Sequence, residues 1–273
     1  MTPAVSGYVR RLEEMSWPEV DALDREATVV TFACGPVEQH GPQTPLGTDL
    51  YVAESVMNEC ARLLGESGYT VLVAPTMPYV NALFSLPYPG STSVRRKVVE
   101  EYLYDLLASF AASGFRYLIP LSQHVDPPWA RAARSACDRV NVEHGAWSIH
   151  GFERLVLDLM ADPSVLGVEG LDLAGDTHAG VVETSLMLHI REDLVRREPL
   201  KGLPPQPVEF ADLASAASFR EVGNGLGYTG DLSASGAELG KLIHDYYTRR
   251  LTGLLLAHLD GEDVREELHF ASF

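Results

Sequence analysis

A carboxylate, an imidazole and a second carboxylate occupy one short loop of this chain, between Gly35 and Asp49. They belong to Glu38, His40 and Asp49. Mixed carboxylate and imidazole ligands suit zinc, manganese and iron. Because a carboxylate has two oxygens, one aspartate can bridge two ions, as two-metal hydrolytic sites require. The loop therefore indicates either a metal site or a hydrogen-bonded turn in which Thr48 or Asp49 caps the next helix.

Two further pairs of ligand-type residues follow in the sequence. His124 and Asp126 come directly after a predicted strand, whereas His178 and Glu183 stand five residues apart at the predicted start of a helix. Each pair also has a purely structural explanation. Asp126 can cap a helix while His124 hydrogen-bonds nearby, and a glutamate in the first turn of a helix favours the helix dipole. For His124 and Asp126, the parallel with the first loop favours a chemical role.

These residues need a scaffold that brings distant loops together, and the hydrophobic pattern predicts one. Buried strands are predicted over 28–33, 70–75, 115–121 and 145–150, and helices over 50–64, 94–112, 127–140, 152–160, 180–189 and 237–259. Two short helices are predicted within 9–24, and a Pro-rich connection with little regular pattern over 193–213. The alternation favours an α/β fold, in which ligands bind beyond the carboxyl ends of the strands. We expect a single domain over residues 1–273.

Composition excludes several classes of function. The chain has 273 residues and a net charge of −17, which disfavours nucleic acid and anionic membrane surfaces as partners. No apolar run approaches the roughly 20 residues that span a bilayer. The first seven residues lack the features of a secretory signal, and three scattered cysteines indicate reduced core residues, so we expect a cytoplasmic protein. Residues 225–230 fit Gly-x-Gly-x-x-Gly, but no strand precedes them, which argues against dinucleotide binding.

Three motifs resemble those of the creatininase family, in the family's order. The stretch from Gly35 to Asp49 resembles its metal-binding motif, Glu-x-His-Gly followed by Pro-Leu-Gly-Thr-Asp. Residues 176–185 resemble His-Ala-Gly-Glu-x-Glu-Thr-Ser, with Val181 replacing the first glutamate. His124 is kept, but Ser122 and Gln123 stand where the family has Asn-Gly. Residues 88–92 resemble a Phe-Pro-Gly-Thr segment that borders the family's active site.

The resemblance implies a three-layer α/β/α fold with a mostly parallel central sheet, usually assembled into homohexamers. It implies two divalent metal ions, which would be zinc, manganese or iron. One ion would be bound by Glu38, Asp49, His124 and Asp126, and the other by His40, Asp49 and Glu183. His178 would be the general acid that gives a proton to the departing nitrogen. We expect five residues in or near the motifs to contact the substrate: Tyr88, Ser122, Gln123, Trp129 and Thr177.

The implied activity is hydrolysis of a C–N bond other than a peptide bond, in a small amide, cyclic amide or formamide. Creatinine itself is not expected, because residues 175–177 are Gly-Asp-Thr where the creatinine enzymes are expected to place tryptophans. Two alternatives remain open. One is a peptidase that trims a small peptide precursor, and the other is a non-catalytic scaffold that lost its chemistry through the change to Ser122 and Gln123.

Overall fold

A parallel β-sheet runs through the middle of the computed structural model, which describes residues 8–208 and 210–268. Its strands are β1 (Val9–Arg11), β2 (Thr28–Gly35), β3 (Thr70–Val73), β4 (Met77–Pro78), β5 (Tyr117–Leu121) and β6 (Trp147–Ser148). The spatial order is β1-β3-β2-β5-β6, with β4 on the end of β2, and all these pairings are parallel. The first seven residues, on which the expectation about a secretory signal rests, lie outside the described residues.

Helices surround this sheet. They are α1 (Trp17–Asp21), α2 (Thr48–Glu66), α3 (Arg96–Ala112), α4 (Pro127–His144), α5 (Glu153–Ala161), α6 (Val181–Ile190), α7 (Arg197–Gly202), α8 (Phe210–Ser215), α9 (Ala237–Leu259) and α10 (Arg265–Leu268). In the part of the chain that the structure describes, no helix has both the length and the apolar character needed to cross a bilayer.

Strand β2 shows how the layers are built. Val29 and Ala33 pack into a hydrophobic cluster with residues of α2, α5, α6 and α9. Val30 and Phe32 point the other way, into a cluster with residues of α3 and α4. Because successive side chains of a strand face opposite sides, a fully buried strand must be covered on both faces. The sheet therefore lies between two helical layers, and the predicted three-layer α/β/α architecture is confirmed.

Most predicted elements are present, and the C-terminal helix has the predicted bounds. The short helix predicted near residue 9 is wrong, because Val9–Arg11 instead pairs in parallel with β3 at the edge of the sheet. This pairing depends on a strand some sixty residues away, which local periodicity does not show. The Pro-rich connection has more regular structure than its sequence pattern indicates, since α7 lies within it and α8 begins near its end. The three cysteines are buried, as expected of core residues.

The topology brings the motif loops together at one edge of the sheet. Strands β2 and β5 are neighbours, with Ala33 opposite Leu121. The chain therefore leaves both strands at the same edge, and the loops that follow carry Glu38 and His124. Helix α6 adds Glu183 from its first turn and packs closely against α9.

The contact between α6 and α9 depends on Gly240, and two glycines of α9 offer a matched test. A Cβ atom at Gly240 would lie 1.9 Å from the Ser185 carbonyl oxygen of α6, whereas one at Gly253 would have no neighbour within 4 Å. We expect Gly240→Ala to lower the free energy of unfolding by about 1–3 kcal/mol through overpacking. Gly253→Ala should raise it by about 0.5–1 kcal/mol, because alanine favours a helix interior. Urea denaturation measures both, and equal effects of the two substitutions would contradict the packing argument.

Candidate metal centre

The loop after β2 fixes the orientation of His40. The Glu38 backbone N–H donates to the Leu46 carbonyl oxygen at 2.9 Å and closes the loop. The Nδ1 atom of His40 lies 3.1 Å from the Glu38 carbonyl oxygen, which can only accept a hydrogen bond. Its other nitrogen, Nε2, lies 3.4 Å from Asp49 Oδ2 and 3.6 Å from Glu183 Oε2. One ring nitrogen is thus held by the backbone, and the other faces two carboxylates.

His124 has the same arrangement after β5. Its Nε2 lies 2.9 Å from the carbonyl oxygen of Asn81. Its Nδ1 lies 3.2 Å from Glu38 Oε1 and 3.9 Å from Asp49 Oδ1. A backbone acceptor on one ring nitrogen selects the tautomer that leaves the other nitrogen free to bind a metal. Both imidazoles are therefore oriented as metal ligands usually are.

Asp49 lies between the two imidazoles. It belongs to the first turn of α2, yet its Oδ1 accepts a hydrogen bond from Gln123, its Oδ2 has no partner among the described residues, and the side chain is almost completely buried. Its Oδ1 is on the His124 side and its Oδ2 on the His40 side. Two sets of ligand atoms lie close enough to hold an ion each: Glu38, Asp49 and His124, and His40, Asp49 and Glu183. Asp49 is common to both, so the helix-cap explanation does not describe its side chain.

Gln123 connects the two sets. Its side-chain Nε2 donates to Asp49 Oδ1 at 2.8 Å and to Glu183 Oε1 at 3.1 Å. The residue that replaces the family's glycine therefore reaches into the cluster and shares its amide between two carboxylates.

The acids and imidazoles determine one another's protonation. Burial lowers the pKa of His40, but the charges of Asp49 and Glu183 outweigh it and raise that pKa to about 10. Burial raises the pKa of Glu183, but the positive charge of His40 outweighs it and lowers that pKa to about 2. Burial lowers the pKa of His124, yet Glu38 raises it well above the usual value. Asp49 differs, because burial outweighs both imidazoles and raises its pKa to about 7. The imidazoles therefore stabilise the charge of Glu183, whereas Asp49 needs further positive charge to stay fully ionised.

Two buried atoms at the centre test whether the residues fit a metal ion. Neither His40 Nε2 nor Asp49 Oδ2 has a hydrogen-bond partner among the described residues. They face each other at 3.4 Å, and an ion coordinated by both would satisfy both. Imidazole nitrogen and carboxylate oxygen are also the donors that zinc and manganese accept. The donor set therefore fits a metal centre.

The structure does not bring every predicted site residue to this centre. The Oδ2 atom of Asp126 lies 3.7 Å from Nε2 of His124, on the edge of the ring opposite the two ligand sets. Trp129 belongs to α4 and is fully buried in the hydrophobic cluster that α3 and α4 form with the sheet. The hydroxyl of Tyr88 donates to the Gly225 carbonyl oxygen. Ser122 is buried, and its Oγ accepts a hydrogen bond from the backbone N–H of His124.

His178 lies at the edge of the centre. Its Nε2 is 2.9 Å from both the carbonyl oxygen and the side-chain Nε2 of Gln39. Its ring stacks on Phe219, with centroids 4.1 Å apart, and its centroid is 4.6 Å from that of His40. Burial lowers the pKa of His178, and His40 lowers it further. His178 also forms a third set of possible ligands with Glu38 and His40.

Thr229 holds the loop that carries His178, and sequence analysis missed it. Its Oγ1 accepts hydrogen bonds from the backbone N–H groups of Thr177 at 2.8 Å and His178 at 3.0 Å. Its own backbone N–H donates to the His178 carbonyl oxygen at 3.0 Å. A threonine in a Gly-rich segment carries no local signal for this role. No local sequence signal indicates the contacts that the two histidines make with Phe219, Gln39 and Asn81 either.

A cavity of about 310 Å³ opens over the centre. Its polar lining is formed by Glu38, Gln123, His124, Asp126, Thr177, His178 and Glu183. Gln123 and Thr177 are thus the two predicted substrate-contacting residues that reach the cavity. The remaining described lining is apolar.

Comparison with known proteins gives a consistent result. The family model for creatininase, described as creatinine amidohydrolase, matches residues 13–255. Creatinine amidohydrolase of Pseudomonas putida is 27% identical in an alignment of 207 residues that covers 70% of this chain and 76% of that protein. A mycofactocin precursor peptide peptidase of Mycolicibacterium smegmatis is 27% identical over 181 residues, which are 63% of this chain and 62% of that protein.

Solved structures show the same fold. A mutant creatininase complexed with creatine has a TM-score of 0.71 at 21% identity and covers 91% of this chain and 98% of its own. A mutant creatininase of the Zn-Zn type has a TM-score of 0.70, and a creatininase with Mn has one of 0.68. Each is 21% identical to this chain, and each comparison covers 94% of this chain and 98% of the other.

The hydrogen bonds of Thr229 generate a test of stability. Thr229→Val keeps the side-chain shape but removes the oxygen, which leaves two backbone N–H groups without their acceptor. Because an unsatisfied buried donor costs about 1–3 kcal/mol, we expect the free energy of unfolding to fall by at least about 1 kcal/mol. Thr229→Ser keeps the oxygen and should lie much closer to the unmodified protein. If the valine variant is as stable as the serine variant in urea denaturation, Thr229 does not hold the loop.

Proposed function

The chain belongs to the creatininase family, and we propose that it is an amidohydrolase that uses two divalent cations to hydrolyse a C–N bond of a small amide. The position of Asp49 carries this proposal. Its two carboxylate oxygens are turned toward different imidazoles, as a ligand that bridges two ions requires.

We assign one ion to Glu38, Asp49 and His124, and the other to His40, Asp49 and Glu183. Each set supplies one imidazole and two carboxylates within mutual reach. Zinc and manganese suit these donors, as does iron, and the solved relatives with Zn and Mn support the first two. Three carboxylates would offset most of the charge of two divalent cations. When bound, the cations would make a water molecule acidic and polarise the substrate carbonyl.

Asp126 has a different role in this assignment from the one that the resemblance implies. Its carboxylate lies near the His124 nitrogen that faces away from Asp49. Together with the Asn81 carbonyl oxygen, it can hold the ring in place, as carboxylates beyond the ligands often do in metal sites. We therefore propose Asp126 as a positioning residue for His124.

His178 is proposed as the general acid. Hydrolysis breaks the C–N bond, forms a C–O bond from water and requires a proton on the departing nitrogen. His178 lines the cavity beside the ligand sets, and its lowered pKa favours the neutral ring. It can therefore take the proton that the attacking water loses and give it to the departing nitrogen as the general acid. The backbone of Gln39 and the stack with Phe219 fix its ring, while Thr229 fixes its loop.

Two other functions are distinguished by simple measurements. A peptidase is supported by the similarity to the Mycolicibacterium smegmatis enzyme, and mass spectrometry of products from peptides and from small amides would separate the two activities. A non-catalytic scaffold would bind fewer than one tight ion per chain. We further propose that residues 1–273 form one domain in a cytoplasmic homo-oligomer, hexameric as the family resemblance implies.

Asp49 and Asp126 provide a matched test of the ligand assignment. Asp49→Asn removes the charge that both sets share, so we expect the purified protein to lose most of both cations. Asp126→Asn makes the same chemical change outside the sets and should keep nearly two ions per chain. Inductively coupled plasma mass spectrometry after gel filtration measures the content. Loss of metal from the Asp126 variant alone would reverse the assignment.

His178→Asn tests the proposed acid. We expect kcat for hydrolysis of the protein's amide substrate to fall by roughly 10²–10⁴, the range for loss of a general acid. Metal content should not change, because His178 is not assigned to either ion. If this variant loses one ion, His178 is a ligand through its set with Glu38 and His40 instead.

A further inference from the structure

We propose that the substrate is a neutral amide with a branched aliphatic or aromatic substituent, rather than a small polar or an anionic amide. This inference rests on the proposed hydrolase function and adds the class of substrate. It is drawn from the walls of the cavity, which the ligand sets do not explain.

Away from the metal centre, the cavity wall is apolar. It includes Phe84, Val125, Leu157, Met160, Leu213 and Phe219. These residues come from separate parts of the chain. Leu157 and Met160 are three positions apart on α5 and therefore share one face of that helix. A polar substrate would lose its hydration against this wall without gaining hydrogen bonds, whereas an apolar group would be removed from water.

An aromatic pair gives one part of the wall a flat shape. Phe219 stacks on His178, with an interplanar angle of 14°, and meets Phe84 edge to face, with centroids 4.6 Å apart. Because the ring of Phe219 lies against that of His178, the apolar wall reaches the residue proposed as the general acid. A substituent next to the C–N bond would therefore meet aromatic carbon close to the reacting atoms.

The charges around the cavity argue against an anionic substrate. Neither lysine nor arginine is present among the described residues that line it. Glu38 and Glu183 are assigned to the cations, and the lining also includes Asp126, an acidic group outside the ligand sets. Arg220 follows Phe219 in sequence, but its guanidinium lies 3.9 Å from the centroid of the Tyr88 ring. A carboxylate on the substrate, such as the free end of a peptide, would lack a counter-charge against the apolar wall of the cavity.

The size of the cavity limits the substituent. Its volume of about 310 Å³ is at the lower end of the range for small-molecule sites. An amide with one side-chain-sized group is the kind of ligand that such a space accommodates.

Hydroxamic acids, which chelate metal ions through a group shaped like an amide, test this inference by binding alone. We would titrate the zinc-loaded protein calorimetrically with four probes: acetohydroxamic acid, 3-methylbutanohydroxamic acid, benzohydroxamic acid and succinic monohydroxamic acid. Each methylene removed from water improves binding by about fourfold. The branched and aromatic probes should therefore bind at least about tenfold more tightly than acetohydroxamic acid. The anionic probe should bind no more tightly than acetohydroxamic acid.

Leu157→Lys places a cation in the apolar wall at a half-buried helical position, where lysine keeps helix propensity. This variant should lose at least about fivefold in affinity for the branched probe and gain affinity for the anionic one. Val142→Lys is the matched control, since residue 142 is 86% exposed on α4 and outside the cavity lining. It should leave all four dissociation constants unchanged.

The outcomes separate this inference from the proposed function. If no probe binds, or if binding survives removal of the metal, the hydrolase proposal fails and this inference fails with it. If all four probes bind with similar affinity, or the anionic probe binds most tightly, the metal centre stands but the assigned substrate class is wrong. The assigned substrate class is also wrong if Leu157→Lys leaves all four dissociation constants unchanged, as Val142→Lys should.

Discussion

Two buried carboxylates and a third, partly buried one lie within reach of one another and need compensating positive charge to stay ionised. Glu38, Asp49 and Glu183 converge at the edge of the sheet, and in a medium of low dielectric their repulsion would be severe without it. His40 and His124 lie where they can supply that charge as imidazolium ions, which is why their pKa values are raised. Divalent cations would supply it more completely. The cluster is therefore a site whose ionised carboxylates are stabilised by positive charge held between them.

The fold meets this requirement with the central strands of its sheet. Strands β2 and β5 lie side by side and deliver their loops to the same place, so Glu38, His40 and His124 derive their positions from two central, almost completely buried strands. Backbone carbonyl oxygens then set the rotation of each imidazole. Glu183 comes from α6, which can approach α9 closely because Gly240 has no side chain. Regular structure thus places the backbone, and a few hydrogen bonds orient the side chains.

The sequence allowed much of this to be predicted, because the information is local. Fully buried strands such as β2 are continuous apolar runs, and the ligands follow them within a few residues. The creatininase resemblance extended the prediction to the pairing of distant motifs. What could not be predicted depends on side-chain direction or on distant partners. Asp126 follows His124 by two residues, yet its Oδ2 lies 3.7 Å from Nε2 of that ring, whereas Asp49 lies on the Nδ1 side. Trp129 stands near a motif but turns into the core, and Thr229 acts on a loop some fifty residues away.

The central claim is that Asp49 lies between two cations. Anomalous diffraction from crystals of the protein soaked in manganese would test it most directly. The account predicts two peaks per chain, one on each side of the Asp49 carboxylate, with the first beside His124 and the second beside His40. A single peak, or a peak bound through Asp126 and the Nε2 atom of His124, would contradict it.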